Sequence, residues 1–596
     1  MKSETLASRL ACAAAGGLMI VGFLVLAVKL KVVQLEQSAL YRGKQEAQSV
    51  RTVLTPGNRG RILDCRGRPL ADNIALRQVV VRPEFYQKKS TEDTVSNIVS
   101  AIRRAESILG RRADATPRDV RRHVRQVLAL PFVVWGSVGE EELARFYEHE
   151  QELPGFACET ESSRRYPYGA FAAHVIGRVG RDSIRAVTGE RRVNFDDREM
   201  RGREGVERFY DAFLRGRPGT ENVLVDARGF AIRRWTVVEP KKGPDLRLAL
   251  DMDVQAAAEE ALQGRVGACV VLDAQTGGVL AAASAPSYDL NDCVPVFTAE
   301  RYAALKEDAG MPLLNRTFAG QYPPGSTFKP ICALAGLESG WDPDAVYECT
   351  GVYVLGKMHI RCTARWGHGF LDIRDALKKS CNPFFCNLGL RTGTNALCAA
   401  ARTFGLGAAT GVDHPADAAG VVPDAGWKRA HYNEPWYAGD LAQMSMGQGM
   451  LLVSPLQMAR VAGALGTGFL VTPRIKAGMA AEARNLPFAR ANLDIVREGM
   501  RRVVDGGTGR RGGEGVEAFV IGKTGTAEVG MGRNRRKHTW FIAYAEPDER
   551  TTKPSALTRR VALAMVVERG ESGGGTTAPR AAHVLRRIFN AEEASP

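Results

Sequence analysis

No internal repeat, no zinc-finger spacing, no RNP signature and no stripe of interleaved basic and aromatic residues occurs in these 596 residues. Those absences disfavour nucleic acid as the partner of a chain whose formal net charge is +15. The basic balance suits an anionic membrane surface or an acidic polymer, or reflects a generally basic proteome. Eleven cysteines are present, but they form no dense small-domain framework, so core thiols are the default reading for most of them. A composition of 45% hydrophobic and 25% charged residues excludes wholesale disorder, and the length calls for more than one domain.

Charge is missing altogether from Leu10 to Val28, LACAAAGGLMIVGFLVLAV. At a helical rise of about 1.5 Å per residue this run nearly spans a hydrocarbon core. Leu30, Val32 and Val33 extend it while Lys29 and Lys31 snorkel. A cleaved signal peptide has a shorter apolar region followed closely by a small-x-small site; KLKVVQLEQ follows here, so an uncleaved anchor is expected. Lys2 and Arg9 before the run balance Lys29 and Lys31 after it, so charge does not orient the span.

Beyond the anchor, QLEQSALYRGKQEAQSV reads as a continuing polar helix and RGRILDCRGRPLADN as a β-hairpin. LRQVVVRPEFY is a strand stopped at Pro83, and residues 91–130 have helical period. This half holds no nucleophile constellation and reads as an extended α+β pedestal. A boundary is expected at the polar turn Lys241–Pro244. After it, ACVVLDAQTGGVLAAASAPSYD gives two apolar strands around Thr276-Gly277-Gly278, and long helices follow. Strands return near Phe519–Lys523 and Trp540–Glu546, and RAAHVLRRIFN closes as a helix. A sheet assembled from both ends of a segment implies an α/β sandwich. RGESGGGTTAP reads as a small flexible stretch.

In QYPPGSTFKP, Pro-Pro breaks the chain and a helix opens, so Ser326 and Lys329 share one helix face. N–H groups at a helix start stabilise an alkoxide or a tetrahedral oxyanion. Lys329 accepts the serine proton if burial and nearby positive charge lower its pKa. Alone, the pair reads equally well as a capping serine and a solvated lysine. Two later pieces change that. KKSCNPFF supplies Ser380 and Asn382, and VIGKTGTAE supplies Lys523, Thr524, Gly525 and Thr526 at the end of an apolar run. Glycine there lets an extended substrate lie against an edge strand, and a lysine beside threonine hydroxyls suits a carboxylate. Ser-x-x-Lys, then Ser-x-Asn, then Lys-Thr-Gly is a specific ordered set.

With that set in place the chain resembles the penicillin-binding protein family, of the monofunctional class B type, over nearly its whole length. RGRILDCRGRPLADN is similar to the family signature RGxIxDRxGxxLA, with Cys65 where the pattern has Arg. RRYPYGAFAAHVIG and GREGVERFYDAFLRG resemble its pedestal motifs; FGLGAATGVDHP and MGQGMLLVSPLQMA resemble its transpeptidase helices. In the last, Ser454-Pro455 with Gln457 also reads as a helix cap. YPPGSTFKP, CTGVYVLG, WGHG and SCN look most like the elongation-type enzyme, with the division type as the rival.

The resemblance implies an α/β serine transpeptidase sandwich, penicillin-binding/β-lactamase-like, with an N-terminal transmembrane helix and an extended α+β pedestal. The expected division is 1–9 cytoplasmic tail, 10–33 anchor, 34–243 dimerisation-type pedestal and 244–596 transpeptidase. It implies acyl transfer: Ser326 attacks the penultimate D-Ala carbonyl of a stem peptide and Lys329 takes its proton. Ser380 relays a proton to the leaving amine, and Asn382 holds the donor and orients Lys329. Lys523, Thr524 and Thr526 bind the terminal carboxylate beside Gly525, and the N–H groups of Ser326 and Thr526 form the oxyanion hole. No cofactor is required for this chemistry. The implied partners are peptidoglycan stem peptides, the lipid-linked precursor, β-lactams and a SEDS-type glycan polymerase. The implied location is the cytoplasmic membrane, crossed once, with the catalytic domain on the periplasmic side.

Cys349, Cys362, His368 and Cys381 lie between the first two motifs, and three thiols with one imidazole suit tetrahedral zinc. Some elongation-type relatives resemble this in placing a zinc-binding set at matching positions. Cys381 lies inside Ser-x-Asn, so a structural zinc would brace the active-site helix. A Cys349–Cys362 disulfide and plain core thiols stay open. Cys386 reads as core and His174 as structural. Arg533–Lys537, RNRRK, reads as a solvated hairpin or a glycan contact. A bifunctional class A enzyme would need a glycosyltransferase module where the pedestal motifs stand. A D,D-carboxypeptidase would share the three motifs with water as acceptor, and a β-lactam sensor or scaffold would acylate without turnover.

Overall fold

The computed structural model describes residues 2–40, 49–181, 193–196, 200–530, 535–548 and 559–590. Helix α1, Lys2–Lys31, runs into a wider turn at Val32–Glu36, and together they are long and apolar enough to cross a membrane. Leu18, Phe23 and Leu26 on it are exposed, as a helix awaiting lipid requires. The polar helix expected to follow lies partly outside the described residues.

The pedestal is built on two sheets. In one, Val50–Thr55 pairs antiparallel with Gly219–Val225, which pairs with Ala231–Val238. In the other, the long strand Pro69–Val81 pairs with Ile62–Leu63, Phe132–Trp135 and Phe156–Arg165. The hairpin and the stop at Pro83 follow the sequence: proline cannot continue the ladder, and Pro83–Tyr86 winds into a short 3-10 turn. Helices Thr91–Leu109 and Pro117–Gln126 cover this sheet, capped by Ser90 and by a Thr116/Asp119 capping box. Their apolar faces meet Val79, Trp135 and Phe146 in a core of its own.

Three separated motifs are tied together by one buried carboxylate. Glu207 receives Arg59 Nε at 2.6 Å and Arg164 Nε at 2.7 Å, and Arg59 also reaches Asp211 at 2.7 Å. Glu207 is fully buried and both arginines nearly so. Removing one partner of such a set strands charge in a low dielectric, so the network fixes the register of the three segments. Leu246–Arg247 then pairs parallel with Ile62–Leu63, so the chain docks on the pedestal as it leaves the turn at Lys241–Pro244.

The catalytic part holds five antiparallel strands: β1 Gly267–Asp273, β2 Val279–Ala285, β3 Phe519–Val529, β4 Arg536–Glu546 and β5 Val561–Glu568. Their order is β2-β1-β5-β4-β3, so chain ends meet at the centre and β3 lies at an edge. Side chains alternate between two cores. Phe541 and Leu563 face helices α2, Met252–Ala261, and α9, Ala578–Phe589. Trp540, Ile542 and Tyr544 face the other layer. That layer contains α3 Lys329–Glu338, α4 Ile373–Lys379, α5 Asn382–Thr392, α6 Ala438–Ser445, α7 Pro455–Thr467 and α8 Arg490–Gly506. α7 begins with the expected cap: Ser454 Oγ accepts from Gln457 N–H at 3.2 Å, and Gln457 Oε1 accepts from Ser454 N–H at 2.9 Å.

One expectation fails here. RGESGGGTTAP is not a loose stretch: Gly573–Thr577 is a helical turn leading into α9, and Thr577 is buried with its hydroxyl on Thr539 at 2.7 Å. A side chain at Gly573 would stand 2.6 Å from the Gly525 carbonyl, so this glycine serves close packing.

Candidate active site

The segment carrying Ser326 is held before the serine is reached. Tyr322 exchanges two backbone hydrogen bonds with Val453, its hydroxyl donates to Glu568 at 2.9 Å, and Trp540 Nε1 donates to the Pro323 carbonyl at 3.0 Å. The helix start expected at Ser326 is a 3-10 turn, Gly325–Phe328, and the α-helix begins at Lys329. In a 3-10 turn residues three apart eclipse one another, so Ser326 and Lys329 still share a face.

Ser380 ends α4 in the left-handed region (φ 54°), a conformation usual for glycine at a helix C-terminus. Strain of this kind, about 1 kcal/mol, collects at functional sites. The turn delivers Ser380, Cys381 and Asn382 to the start of α5, where Pro383 is among the first helical residues. Lys329 is fully buried and its Nζ donates to the Ser380 carbonyl at 2.7 Å and to Asn382 Oδ1 at 2.7 Å, with Ser380 Oγ at 3.3 Å. Lys523 is also fully buried and donates to Ser380 Oγ at 2.9 Å and to the Thr524 carbonyl at 3.1 Å. Among the described residues, no hydrogen bond joins the Ser326 hydroxyl to Lys329, which is occupied by the Ser-x-Asn turn.

Two lysines therefore meet one hydroxyl away from water. Burial draws Lys329 down to about 8. Burial and the charge of Lys329 push Lys523 well below the ordinary lysine value. Two ammonium groups this close are costly in a low dielectric, so the pair holds one charge more readily than two.

β3 brings Lys523 to the site in register with Ile542 on β4. Alternation sends the side chains of Thr524 and Thr526 to the strand's other face. There Thr524 Oγ1 meets Thr508 Oγ1 at 2.8 Å, and Thr526 Oγ1 accepts Gly573 N–H at 3.4 Å. A carboxylate off the strand edge would lie between the two faces. Thr526 turns its backbone off the edge, since its carbonyl accepts from Gln448 Nε2 at 3.1 Å, and in an antiparallel ladder its N–H points the same way. Gly525 has a packing role that the sequence reading did not foresee. A Cβ there would stand 2.8 Å from the Pro324 carbonyl and 2.9 Å from Thr327 Cγ2, so the glycine lets β3 close on the Ser326 segment.

Cys349, Cys362, His368 and Cys381 converge as well. Their donor atoms all lie within 4.8 Å of one another. Cys362 Sγ stands 3.3 Å from His368 Nδ1 and 3.9 Å from Cys381 Sγ, and Cys349 Sγ lies 4.0 Å from His368 Nδ1. Donors on a zinc tetrahedron are about 3.6–3.8 Å apart, so the four residues fit that ion. All three cysteines are free thiols. Asn382 Nδ2 donates to the Arg361 carbonyl at 3.1 Å, so the segment bearing Cys362 also fixes which end of that amide faces Lys329.

Cys386 is buried, as expected. His174 is structural: it is buried, its Nε2 lies 2.7 Å from the Pro312 carbonyl, and burial lowers its pKa to about 4. Arg533 and Asn534 of the RNRRK stretch lie outside the described residues; Arg535, Arg536 and Lys537 are exposed. Sequence reasoning missed Gln448 and Thr508. The paired glycines around Gln448 were the available signal for the first, and a lone threonine offered none for the second.

Comparison with known proteins bears on the whole arrangement. The Penicillin binding protein transpeptidase domain matches residues 267–588, and the Penicillin-binding Protein dimerisation domain matches residues 54–248. The peptidoglycan D,D-transpeptidase MrdA of Acinetobacter baumannii is 31% identical over 96% of this chain and 86% of its own length. A Helicobacter pylori penicillin-binding protein, PBP2, solved in complex with MreC, superposes with a TM-score of 0.77. It is 26% identical, over 90% of this chain and 98% of that one. A chain from a peptidoglycan synthase complex that coordinates polymerization and crosslinking gives a TM-score of 0.70 at 27% identity, over 98% and 99% of the two chains.

Proposed function

The chain belongs to the penicillin-binding protein family, as a peptidoglycan D,D-transpeptidase of the elongation type, and we propose that its acyl-enzyme ester forms on Ser326. The observation that carries this reading is the meeting of Lys329 and Lys523 on the hydroxyl of Ser380, beside the turn that bears Ser326.

The pair works with one shared charge. The terminal carboxylate of the donor stem peptide, held at Lys523 with Thr524 and Thr526, favours that charge on Lys523. Lys329 is then neutral and takes the proton of Ser326 Oγ as the oxygen attacks the penultimate D-Ala carbonyl. The N–H groups of Ser326 and Thr526 receive the developing oxyanion. As the C–N bond breaks, a proton passes from Lys329 through Ser380 Oγ to the leaving D-Ala nitrogen. An amine of a neighbouring stem attacks the ester, its proton returns along the same path, and a 4→3 cross-link and free Ser326 remain. Asn382 keeps Lys329 aimed, and its other end is held by the Arg361 carbonyl.

Cys349, Cys362, His368 and Cys381 would hold a structural zinc. Bound there, the ion would pin Cys381, between Ser380 and Asn382, to the segments bearing the other three donors. With α1 as its single span of the cytoplasmic membrane, the catalytic part would lie on the periplasmic side, where the stem peptides it cross-links are. The likeness to a chain from a synthase complex supports a membrane glycan polymerase of the SEDS type as partner, and the likeness to a PBP2 solved with MreC supports a partner of that kind. The test is cross-linking of lipid-linked precursor by the full-length protein with a partner polymerase. Penicillin-sensitive 4→3 cross-links are expected. Acylation by penicillin with no cross-links at any partner ratio would leave a sensor or scaffold, and release of D-Ala without cross-links would leave a carboxypeptidase.

A further inference from the structure

The MGQG stretch contributes no helix at Gly447–Gly449. α6 ends at Ser445 and the chain turns back, with Gly447 N–H on the Met444 carbonyl at 2.8 Å and Gln448 N–H on the Gln443 carbonyl at 2.9 Å. This one turn touches both halves of the oxyanion hole. The Gly447 carbonyl accepts from Gly325 N–H at 2.8 Å, one residue before the nucleophile. Gln448 Nε2 donates to the Thr526 carbonyl at 3.1 Å, and Gln448 Oε1 accepts Glu528 N–H at 3.4 Å. Both are main-chain groups on the free edge of β3, so a single side-chain amide stands where a neighbouring strand would. Position 447 must be glycine. Its φ is 73°, and a Cβ there would lie 2.0 Å from the Gly325 carbonyl.

The two oxyanion donors belong to different elements. Ser326 N–H sits on the 3-10 turn and Thr526 N–H on β3, so no single element fixes their separation. A donor pair stabilises the tetrahedral oxygen only when both N–H groups reach one point, and a misplacement of about 1 Å costs up to roughly 100-fold in rate. We infer that the Gly447–Gln448 turn is the clamp that sets this separation, and that Gln448 is a positioning residue for acylation. The inference rests on the oxyanion assignment proposed above.

The test uses the full-length protein in detergent and two variants, Gln448→Ala and Gln448→Glu. The second keeps the side-chain length and the acceptor for Glu528 N–H but has no donor for the Thr526 carbonyl, and it carries the test if the alanine variant does not fold. Two readouts are taken: the second-order acylation constant with labelled penicillin, and the ester carbonyl stretch of the acyl-enzyme by infrared difference spectroscopy. The wild-type band is expected below its position in the same acyl-enzyme after unfolding. In the variants acylation falls about 10-fold or more, and the band moves toward the unfolded position or splits. Variants that keep the wild-type band overturn the clamp, whatever their rate, and so do variants that acylate within about twofold of wild type. A wild-type band that coincides with the unfolded one removes the oxyanion assignment itself, which separates that failure from a failure of the clamp.

Discussion

Ser380 occupies a position that backbone sterics would give to glycine, and replacing it separates strain from chemistry. At φ 54° and ψ 43° a side chain costs about 1 kcal/mol relative to glycine. The hydroxyl meets Lys523 Nζ at 2.9 Å and Lys329 Nζ at 3.3 Å. Ser380→Ala keeps the strain and removes the hydroxyl, and Ser380→Gly removes both. Each variant leaves buried Lys523 with fewer partners, a loss of about 1–3 kcal/mol. Each also loses the proton path, so labelled-penicillin acylation falls by about 10²–10⁴ in both. They part in stability: relief of strain makes the glycine variant about 1 kcal/mol the more stable, or about 2 °C in Tm for a domain of this size. Acylation rates and thermal unfolding of the two proteins, measured side by side, check both claims. An alanine variant that acylates at the wild-type rate refutes the proton path. A glycine variant that melts with or below the alanine variant refutes the strain argument.

The pair must carry one proton to act, on Lys523 once the carboxylate is bound. In the free enzyme that proton sits on Lys329, which burial sets at about 8, so the second-order acylation constant of the free enzyme should be level below about that pH. Above it the constant should drop, toward roughly tenfold per pH unit, as the pair loses that proton; a flat profile from pH about 6 to 9 would contradict the shared-charge assignment. Elemental analysis of the purified protein should find stoichiometric zinc that is lost in Cys362→Ala, and chelation should lower Tm; metal-free protein of unchanged stability would remove the zinc. Glu207→Gln leaves Arg59 and Arg164 without their shared charge and should destabilise the pedestal by about 3–5 kcal/mol, read as early unfolding or cleavage there by a protease; intact behaviour would show that the network is dispensable.

What the sequence made legible was chemistry carried by local spacing. Ser326 and Lys329, Ser380 and Asn382, and the strand bearing Lys523 each announce themselves within a few residues. The structure joins Lys329, Ser380, Asn382 and Lys523 by hydrogen bonds, with Ser326 on the 3-10 turn that leads into Lys329. Strand and helix positions followed from apolar period and from proline and glycine at their ends. Contacts between distant segments were not legible. Gly525 and Gly573 read as room for substrate and as looseness, yet each exists because backbone passes within van der Waals reach of it. Gln448 was invisible because its partners, Thr526 and Glu528, lie about eighty residues away on a strand edge. Cys65 departs from the family signature, but neighbouring Arg66 and Arg68 pair with Asp251, Asp253 and Asp64, so the turn keeps its ionic anchors.

The central claim is that three remote segments make one serine hydroxyl acylable, and peptide mapping of the penicillin-treated full-length protein tests it most directly. The account predicts a penicilloyl group on the peptide containing Ser326 and no covalent label on Ser326→Ala protein that is otherwise folded. Label on another residue, or label retained by that variant, would contradict it.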